Sequence, residues 1–375
     1  MIERYYRPGY DILLNPFDLR ACNWSLWDEI ESSADIDKIA DSFFSGSPPE
    51  SYRGDDKWNE WGKMLFIGIL EYMYSQGEPT IKELHNLVHN EPIEGLIEKL
   101  KNTSVGSLLG SGENKSNNAA PYNIRINAIL ATKWLKFISD DIGQAFSFKE
   151  YFANLDDRWV FVASSGGDAK ILLPFISSLA DIAMSSLISL GVKEDRRVWF
   201  VFDELAKLRY LPTLQENITI LRKYGGCILA ATQNFSQLLA HYGRHSGSTM
   251  LSQFNTNVIF RITEVKEAKT VAERIGEIEY LSHQKNTSYG AHEFRDGISY
   301  TEQEKKQDVI KVNDLNNLKS NQAFVLLPEP DVAISKVSLE IASKPQSLQP
   351  AFLKNPRINN MIKPRQDAEE EKLGE

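Results

Sequence analysis

The sequence predicts an α/β protein in which a largely parallel, twisted sheet is flanked by helices and carries an all-helical insert. Strand-like and helix-like segments alternate between residues 158 and 276, as they do in doubly wound parallel sheets. The run VWFVF at 198–202 is apolar at successive positions, which is typical of a strand buried on both faces of such a sheet. Residues 35–144 show mostly helical periodicity, which predicts the insert.

These textures divide the chain into four segments. Residues 1–34 contain YDILLNPFD, a short strand that runs into an Asn-Pro turn and begins the α/β domain. Residues 35–144 are the predicted helical insert, and 145–343 contain the remaining strands and helices of the α/β domain. Prolines and charges dominate residues 344–375, which predicts a disordered acidic tail.

The composition is that of an ordinary globular protein. The 375 residues are 42% hydrophobic and 25% charged, which is enough to bury a large core. The formal net charge is −9, and the last ten residues alone hold five acids and one lysine. This balance argues against a generally basic nucleic-acid-binding surface, although a local basic stripe or the charged pore of a ring remains compatible with it.

One apolar segment, residues 171–190, is long enough to span a bilayer. Within it, Ser178, Asp181, Ser185 and Ser189 recur at spacings of three and four, which places a polar stripe on one helical face. The segment also lies between two strand-like runs. We therefore predict a largely buried crossover helix and no transmembrane segment in this chain.

Two adjacent carboxylates, Asp203 and Glu204, follow the apolar strand at 198–202. Ligands of open parallel sheets bind at the carboxyl ends of the strands, so the pair lies where chemistry is expected. One acid can hold Mg²⁺ and its neighbour can orient an attacking water, the arrangement called Walker B in nucleotide hydrolases. The alternative is that Asp203 caps a helix beginning near Leu205, with Glu204 in its first turn.

The next strand, CILAATQN, ends at Gln233, which lies beside the carboxylates if the two strands are neighbours. An amide there can sense a γ-phosphate or position a water. A simple turn residue is the alternative. Between the strands, Arg222 precedes Gly225 at a predicted helix end, where a cation favours the helix dipole and glycine suits the C-cap. Arg222 is also a candidate arginine finger directed at the nucleotide of a neighbouring subunit.

Six segments occur in a fixed order around the helical insert: YDILLNPFD, VWFVFDELAKL, LRKYGG, AATQN, QKNTSYG and QPAF. No single segment is specific, but the ordered set resembles the nucleotide-binding region of the type IV coupling proteins, the TraD/TrwB kind. The resemblance runs from about Arg4 to Leu353. It implies a RecA-like P-loop NTPase fold and a homo-hexameric motor, driven by ATP and Mg²⁺, at the cytoplasmic face of the bacterial inner membrane.

The resemblance also implies partners and residue roles. Members of the coupling-protein family link the relaxosome, which is single-stranded DNA with its bound relaxase, to a type IV secretion channel. By position, Asp203 resembles the Mg²⁺-associated acid, Glu204 the catalytic base, Gln233 the third-motif glutamine and Arg222 the arginine finger. The helical insert resembles the domain thought to meet the DNA–protein cargo.

The sequence departs from the family at the P-loop, G-x-x-x-x-G-K-[ST], whose amides and lysine hold the nucleotide phosphates. The nearest string, LGSGENKS at 109–116, has Leu109 and Asn114 where glycines are required, and no strand precedes it. We therefore expect the chain to correspond to the downstream part of a split or truncated coupling protein and to be nearly inactive as an ATPase alone.

Three hypotheses follow. The chain is part of a DNA-pumping motor that needs an upstream polypeptide carrying the P-loop, or it is a non-catalytic module that binds DNA or protein, or it is a degenerate remnant. Another DNA translocase of the HerA/FtsK kind is a further alternative. Mixing the chain with a P-loop-bearing fragment discriminates them, because only a split motor regains hydrolysis.

Overall fold

The computed structural model describes residues 1–45, 56–77, 79–106, 119–140, 144–164, 167–193, 195–288, 297–328, 334–340 and 348–359. Within these residues the α-helices are α1 (Ile2–Tyr5), α2 (Ser33–Phe44), α3 (Asp56–Gln76), α4 (Ile81–His89), α5 (Ile93–Leu100), α6 (Ala119–Thr132), α7 (Phe148–Ala153), α8 (Ala169–Ser189), α9 (Pro212–Asn217), α10 (Phe235–Tyr242), α11 (Arg244–Ser252), α12 (Val265–Ile275), α13 (Val312–Asn316) and α14 (Pro356–Asn359).

The strands within the same residues are β1 (Ile12–Leu14), β2 (Asn23–Trp24), β3 (Ala145–Phe146), β4 (Val160–Val162), β5 (Val198–Phe202), β6 (Gly226–Ala230), β7 (Asn257–Ile259), β8 (Glu277–Ser288), β9 (Gly297–Asp308), β10 (Gln322–Leu326) and β11 (Ile334–Ser338). The chain folds into two compact units. Unit 1 comprises Met1–Gln233, Gln237–Leu251 and Lys344–Glu375, and unit 2 comprises Asn234–Ser236 and Ser252–Ser343.

The strands of unit 1 pair in parallel, as the sequence predicts. The pairs are β1 with β4, β2 with β3, and β5 with β6. Parallel neighbours need a crossover, and α8 runs between β4 and β5 as the connection predicted at 171–190. The α/β prediction is therefore confirmed for unit 1.

The described residues of the predicted helical insert form mostly helices, and these helices share a core with the rest of unit 1. The rings of Phe43 in α2 and Trp134 lie 4.9 Å apart, and Trp134 lies 4.8 Å from Phe175 in α8. Trp134 is 0% exposed. The insert is thus anchored on the crossover helix by aromatic packing.

α8 has the length and apolarity of a membrane-spanning helix, with a mean hydropathy of 1.8, but 67% of that apolar window is buried inside the protein. Ser178 and Asp181, two members of the predicted polar stripe, are buried with the apolar residues. Both have hydrogen-bond partners on neighbouring elements, which is why a helix with polar residues can occupy a core.

The segment 348–359, which the sequence places in the predicted tail, packs against the beginning of unit 1. The Leu19 N–H donates to the carbonyl of Leu353 (2.7 Å), and the Asn355 N–H donates to the carbonyl of Phe17 (2.8 Å). The buried Asp18 carboxylate also accepts from the Leu353 N–H at 3.1 Å. This part of the predicted disordered tail is therefore ordered, because it satisfies main-chain groups beside β1; residues 360–375 lie outside the described residues.

Unit 2 is antiparallel. Strand β10 lies between β7 and β11. A small core consists of Ala268, Val271 and Ala272 of α12, Leu315 of α13, and Ile310, which precedes α13. The long strands β8 and β9 pair antiparallel over a stretch whose sequence is polar and shows no clear strand pattern. Strands were missed there because polar side chains dominate the hairpin, so the alternation of polar and apolar residues that marks a strand is weak.

Candidate functional site

Strands β5 and β6 bring three of the predicted site residues to one edge. The parallel register pairs Val198 with Gly226 and Phe202 with Ala230, so both strands end at the same level. The pairing continues past the strands: the Ala231 N–H donates to the Phe202 carbonyl and the Leu205 N–H donates to the Ala231 carbonyl, both at 2.8 Å. These two bonds fix the acidic pair against the segment that leads to Gln233.

We call Asp203, Glu204 and Gln233 the carboxylate edge. The Gln233 N–H donates to Oε1 of Glu204 at 3.3 Å, so the contact uses the main chain of Gln233 and leaves its side-chain amide exposed. Glu204 is half-buried, whereas Asp203 is exposed and its carboxylate has no hydrogen-bond or ion-pair partner among the described residues. The edge therefore offers one oriented carboxylate and one open carboxylate.

The capping alternative for the acids does not fit the local geometry. A 3₁₀ turn, Leu205–Lys207, follows the strand, and Glu204 occupies its N-cap position without a side-chain capping hydrogen bond. Asp203 lies one residue earlier, still outside the turn. Neither side chain caps the turn, so helix capping does not explain the two carboxylates at this place.

Arg222 lies at the other end of β6. It belongs to the 3₁₀ turn Leu221–Tyr224, which precedes the strand. The strand rises about 3.3 Å per residue, so the turn is roughly 20 Å from the carboxylate edge. Arg222 is exposed and is not brought to Asp203 or Glu204 of its own chain.

A glycine and a buried arginine shape this turn. Gly225 has φ of 85°, in the left-handed region, and a Cβ at this position would lie 2.4 Å from the carbonyl oxygen of Arg196. The Arg196 side chain is buried, and its Nε donates to the Tyr224 carbonyl at 3.0 Å. Gly225 and the buried Arg196 side chain therefore fix the conformation of the turn that contains Arg222.

The prediction that β5 is buried on both faces is wrong. Phe200 is buried, but Trp199 is 65% exposed, Val201 is 40% exposed, and Leu229 on the neighbouring strand is 57% exposed. β5 and β6 pair only with each other among the described strands, and no described helix covers this face. Apolar side chains on both faces correctly predicted a strand, but the sequence does not show whether another element covers the second face.

No group of three or more His, Cys, Asp or Glu side chains that could hold a metal ion occurs within the described residues. The open carboxylate of Asp203 fits a Mg²⁺ ion that is held through a water molecule and whose ligands are waters and nucleotide phosphates, as Mg²⁺ prefers. The string at 109–116 lies outside the described residues, and no P-loop motif occurs in the 375 residues. The carboxylate edge fits the part of a nucleotide site that binds the metal ion and the attacking water. It does not include the amides and the lysine that hold the nucleotide phosphates.

The sequence of the whole chain decides the family. A family model described as the type IV secretion-system coupling protein DNA-binding domain matches residues 1–340. The chain belongs to this family. The coupling protein TraD of Escherichia coli K12 is 30% identical over an alignment of 373 residues, and the match covers 96% of this chain and 50% of TraD. The type IV secretion system-coupling protein VirD4 of Bartonella quintana is 27% identical over 95 residues, covering 25% of this chain and 15% of VirD4.

Solved structures of the family share the fold. The bacterial conjugative coupling protein TrwBΔN70, in its unbound monoclinic form, superposes with a TM-score of 0.79 at 24% identity and covers 94% of this chain and 78% of its own. The plasmid coupling protein TrwB in complex with ADP and Mg²⁺ gives a TM-score of 0.77 at 24% identity, with 94% and 79% coverage. The RecA-like fold expected from the resemblance is confirmed, and this coupling-protein chain spans about half the length of TraD.

Proposed function

We propose that this chain supplies the water-activating half of a conjugative coupling motor, a DNA-dependent ATPase that pumps single-stranded DNA. The observation that carries the proposal is the carboxylate edge. Parallel pairing of β5 and β6 holds Glu204 against the Gln233 main chain while Asp203 stays open. Hydrolysis of a phosphoanhydride needs an acid for the metal and an acid for the water at one place, and this edge provides both.

Each residue has a role that follows from its position. Asp203 would hold Mg²⁺ through a water molecule, and the bound ion would neutralise charge on the phosphate oxygens. Glu204 accepts the proton of the attacking water, with its carboxylate oriented by the Gln233 N–H. The exposed side-chain amide of Gln233 is available to contact the γ-phosphate.

Arg222 acts in a neighbouring subunit. Arg222 lies roughly 20 Å from the carboxylate edge of its own chain, which excludes a direct contact with Asp203 or Glu204 of that chain. The turn Leu221–Tyr224 is held by the hydrogen bond from Arg196 Nε to the Tyr224 carbonyl and leaves Arg222 exposed. An arginine finger that acts on a neighbouring subunit requires such exposure. This role needs a ring of copies, and we propose the homo-hexamer implied by the family.

The phosphate-binding loop is supplied from outside these 375 residues. Without phosphate-cradling amides the nucleotide is poorly positioned, and positioning is most of phosphoryl-transfer catalysis. The exposed apolar face of Trp199, Val201 and Leu229 supports this proposal, because parallel sheets are normally covered on both faces. We expect the isolated chain to bind and hydrolyse ATP weakly.

The partners follow from the family and from the helical insert. Residues 35–144 contact single-stranded DNA, relaxase or other relaxosome proteins, and the assembled motor delivers them to a type IV secretion channel. We place the protein in the bacterial cytoplasm or at the cytoplasmic face of the inner membrane. A non-catalytic module that binds DNA or protein is the second candidate, favoured by the missing P-loop.

ATP hydrolysis in the presence of single-stranded DNA tests the proposal. The chain is assayed alone and then mixed with a polypeptide that carries the family P-loop segment. Hydrolysis only in the mixture, and its loss in the Glu204→Gln variant, supports the water-activating role. Unchanged DNA binding with no hydrolysis in any mixture overturns it in favour of the binding module.

A further inference from the structure

A row of buried polar side chains runs along α8 on the side that faces α2 and α9. We call Ser177, Ser178 and Asp181 the α8 polar row; each is at most 2% exposed. Ser177 Oγ accepts from the Arg209 N–H at 2.9 Å, and Ser178 Oγ donates to the Ser42 carbonyl at 3.0 Å. The row is therefore bonded to two different neighbours of α8.

Asp181 joins those two neighbours through one carboxylate. Its Oδ2 accepts from the Ser42 hydroxyl at 2.7 Å, and its Oδ1 accepts from the Thr213 N–H at 2.8 Å. Ser42 lies near the end of α2, within the predicted helical insert. Thr213 lies in the first turn of α9. A movement of either helix must therefore be followed by Asp181 or must break a buried hydrogen bond.

The α9 side of this joint leads directly to the carboxylate edge. The 3₁₀ turn Leu205–Lys207 connects Glu204 to the segment that carries Arg209, and the Lys207 N–H donates to the Glu204 carbonyl at 3.2 Å. The hydrogen bonds that the Arg209 N–H donates to Ser177 and the Thr213 N–H donates to Asp181 hold this segment at both ends. The main chain behind Glu204 is thus fastened to the same helix as the insert.

Beside the joint lies a cavity of about 410 Å³, lined by residues of α2, α3, α8 and α9. Charged groups on its walls include Lys38, Asp41, Lys63 and Glu216, in addition to Asp181. A close-packed contact resists displacement, whereas a cavity leaves room for two neighbouring helices to shift. The joint therefore combines fixed bonds with space for movement.

We propose that Asp181 is a positioning residue that couples the helical insert to the segment behind Glu204. Loosening the insert side of the joint loosens residues 205–217, and engagement of the insert by cargo changes the placement of Glu204. The second statement rests on the proposed function, whereas the first concerns the chain alone.

Hydrogen–deuterium exchange of the purified chain tests the first statement without nucleotide or DNA. The variant Ser42→Ala removes the hydroxyl that holds Asp181 from the insert side, and the hydrogen bonds of Ser42 are made with Lys38, Ser45, Ser178 and Asp181, outside 205–217. We expect exchange of amides in 205–217 to become at least about fivefold faster, the effect of one lost hydrogen bond. Ser178→Ala, which loses only a bond to a carbonyl, is the milder second variant if Ser42→Ala folds poorly.

Ser186→Ala is the matched control, because it removes another buried hydroxyl of the same helix whose partner is Glu29 at 3.3 Å. It should leave exchange of 205–217 unchanged. Asp181→Asn can keep both hydrogen bonds and should not make exchange of 205–217 faster. Unaltered exchange of 205–217 in Ser42→Ala, or an equal rise in both serine variants, overturns the coupling.

The second statement is tested in the completed motor. Ser42→Ala should lower the ratio of DNA-stimulated to basal hydrolysis about fivefold, and an unchanged ratio overturns the link to cargo. Absence of hydrolysis in the wild-type mixture would count against the proposed function alone, since the exchange experiment still decides the joint.

Discussion

The carboxylate edge and the α8 polar row both consist of polar side chains in unit 1, and they differ in how completely those side chains are paired. Asp203 has no partner among the described residues, and Glu204 accepts one main-chain N–H. Asp181, in contrast, is buried and bonded to two helices. Polar groups that stabilise a fold are saturated, whereas groups that act on a ligand are oriented but open. The comparison predicts activity effects at the edge and stability effects in the row.

The largest expected effect is on hydrolysis at the turn before β6. Arg222→Ala should lower the rate of the completed motor about a thousandfold, because an arginine finger neutralises charge in the transition state. Lys223→Ala, an exposed neighbour in the same turn, is the control and should have little effect. Mixing Arg222→Ala with Glu204→Gln subunits should restore part of the activity, and no recovery in mixed rings would contradict action in trans.

At the edge itself, Glu204→Gln should lower hydrolysis about a hundredfold to a thousandfold, because the amide cannot accept the proton of water. The midpoint of thermal unfolding should stay unchanged. Asp195→Asn removes an exposed carboxylate near the opposite end of β5 and serves as the control. Full activity in Glu204→Gln would remove Glu204 from the mechanism.

Among the buried acids, the effect should fall on stability. The Glu29 carboxylate accepts from Trp24 Nε1 at 3.1 Å, from the Phe148 N–H at 2.6 Å and from Ser186, and burial raises its pKa. Glu29→Ala should lower the free energy of unfolding by about 3 kcal/mol or more, because it leaves buried donors without a partner. Urea denaturation measures the change.

Glu31→Ala is the control for Glu29. Its side chain is 78% exposed and pairs with Lys149 at the surface, so we expect a loss of less than about 1 kcal/mol. Equal losses in the two variants would show that burial of Glu29 contributes nothing of its own.

The smallest expected effect is a pH dependence at Asp181. Burial raises the pKa of this carboxyl from 3.8 to about 6, with hydrogen bonds from Ser42 and Thr213 opposing the rise. The native chain then binds more protons than the unfolded chain between these values. The contribution to stability is therefore complete below about pH 4 and is lost as the pH rises through about 6.

Asp181→Asn does not titrate, so it lacks this loss. Relative to the wild type, its free energy of unfolding should increase between pH 4 and pH 8 by at most about 3 kcal/mol. Urea denaturation at a series of pH values measures the difference. Glu216→Gln, which removes a neighbouring negative charge, should keep most of the pH dependence, and parallel curves for wild type and Asp181→Asn would contradict the expectation.

Much of unit 1 could be predicted from local patterns. Strand and helix periods place β5, β6 and α8, and the meeting of Glu204 with Gln233 follows from parallel neighbours ending at one edge. The role of Asp181 could not be predicted, although the stripe containing it was visible in the sequence. Spacing shows that polar residues share a helix face, but only tertiary packing shows that Ser42 and Thr213 lie opposite that face.

Failures of the sequence interpretation share a physical cause. Trp199 and Val201 predict burial by their chemistry, yet exposure depends on what lies over the strand. The polar hairpin β8–β9 lacks an apolar alternation, and its main-chain pairing carries no side-chain signal. Residues near Leu353 resemble a disordered tail in the sequence, but hydrogen bonds with main-chain groups beside β1 hold them in place. The exposure of Trp199 and the order near Leu353 depend on contacts distant in sequence.

Gly225 has a consequence for genetic work on this protein. Its left-handed backbone and the Arg196 carbonyl 2.4 Å from any added Cβ leave no room for another residue. In a mutational screen for loss of transfer, substitutions at Gly225 should therefore score as severely as those at Arg222, although glycine has no side chain to contribute. Soluble yield separates the two classes of mutant, since only the glycine substitutions should reduce it.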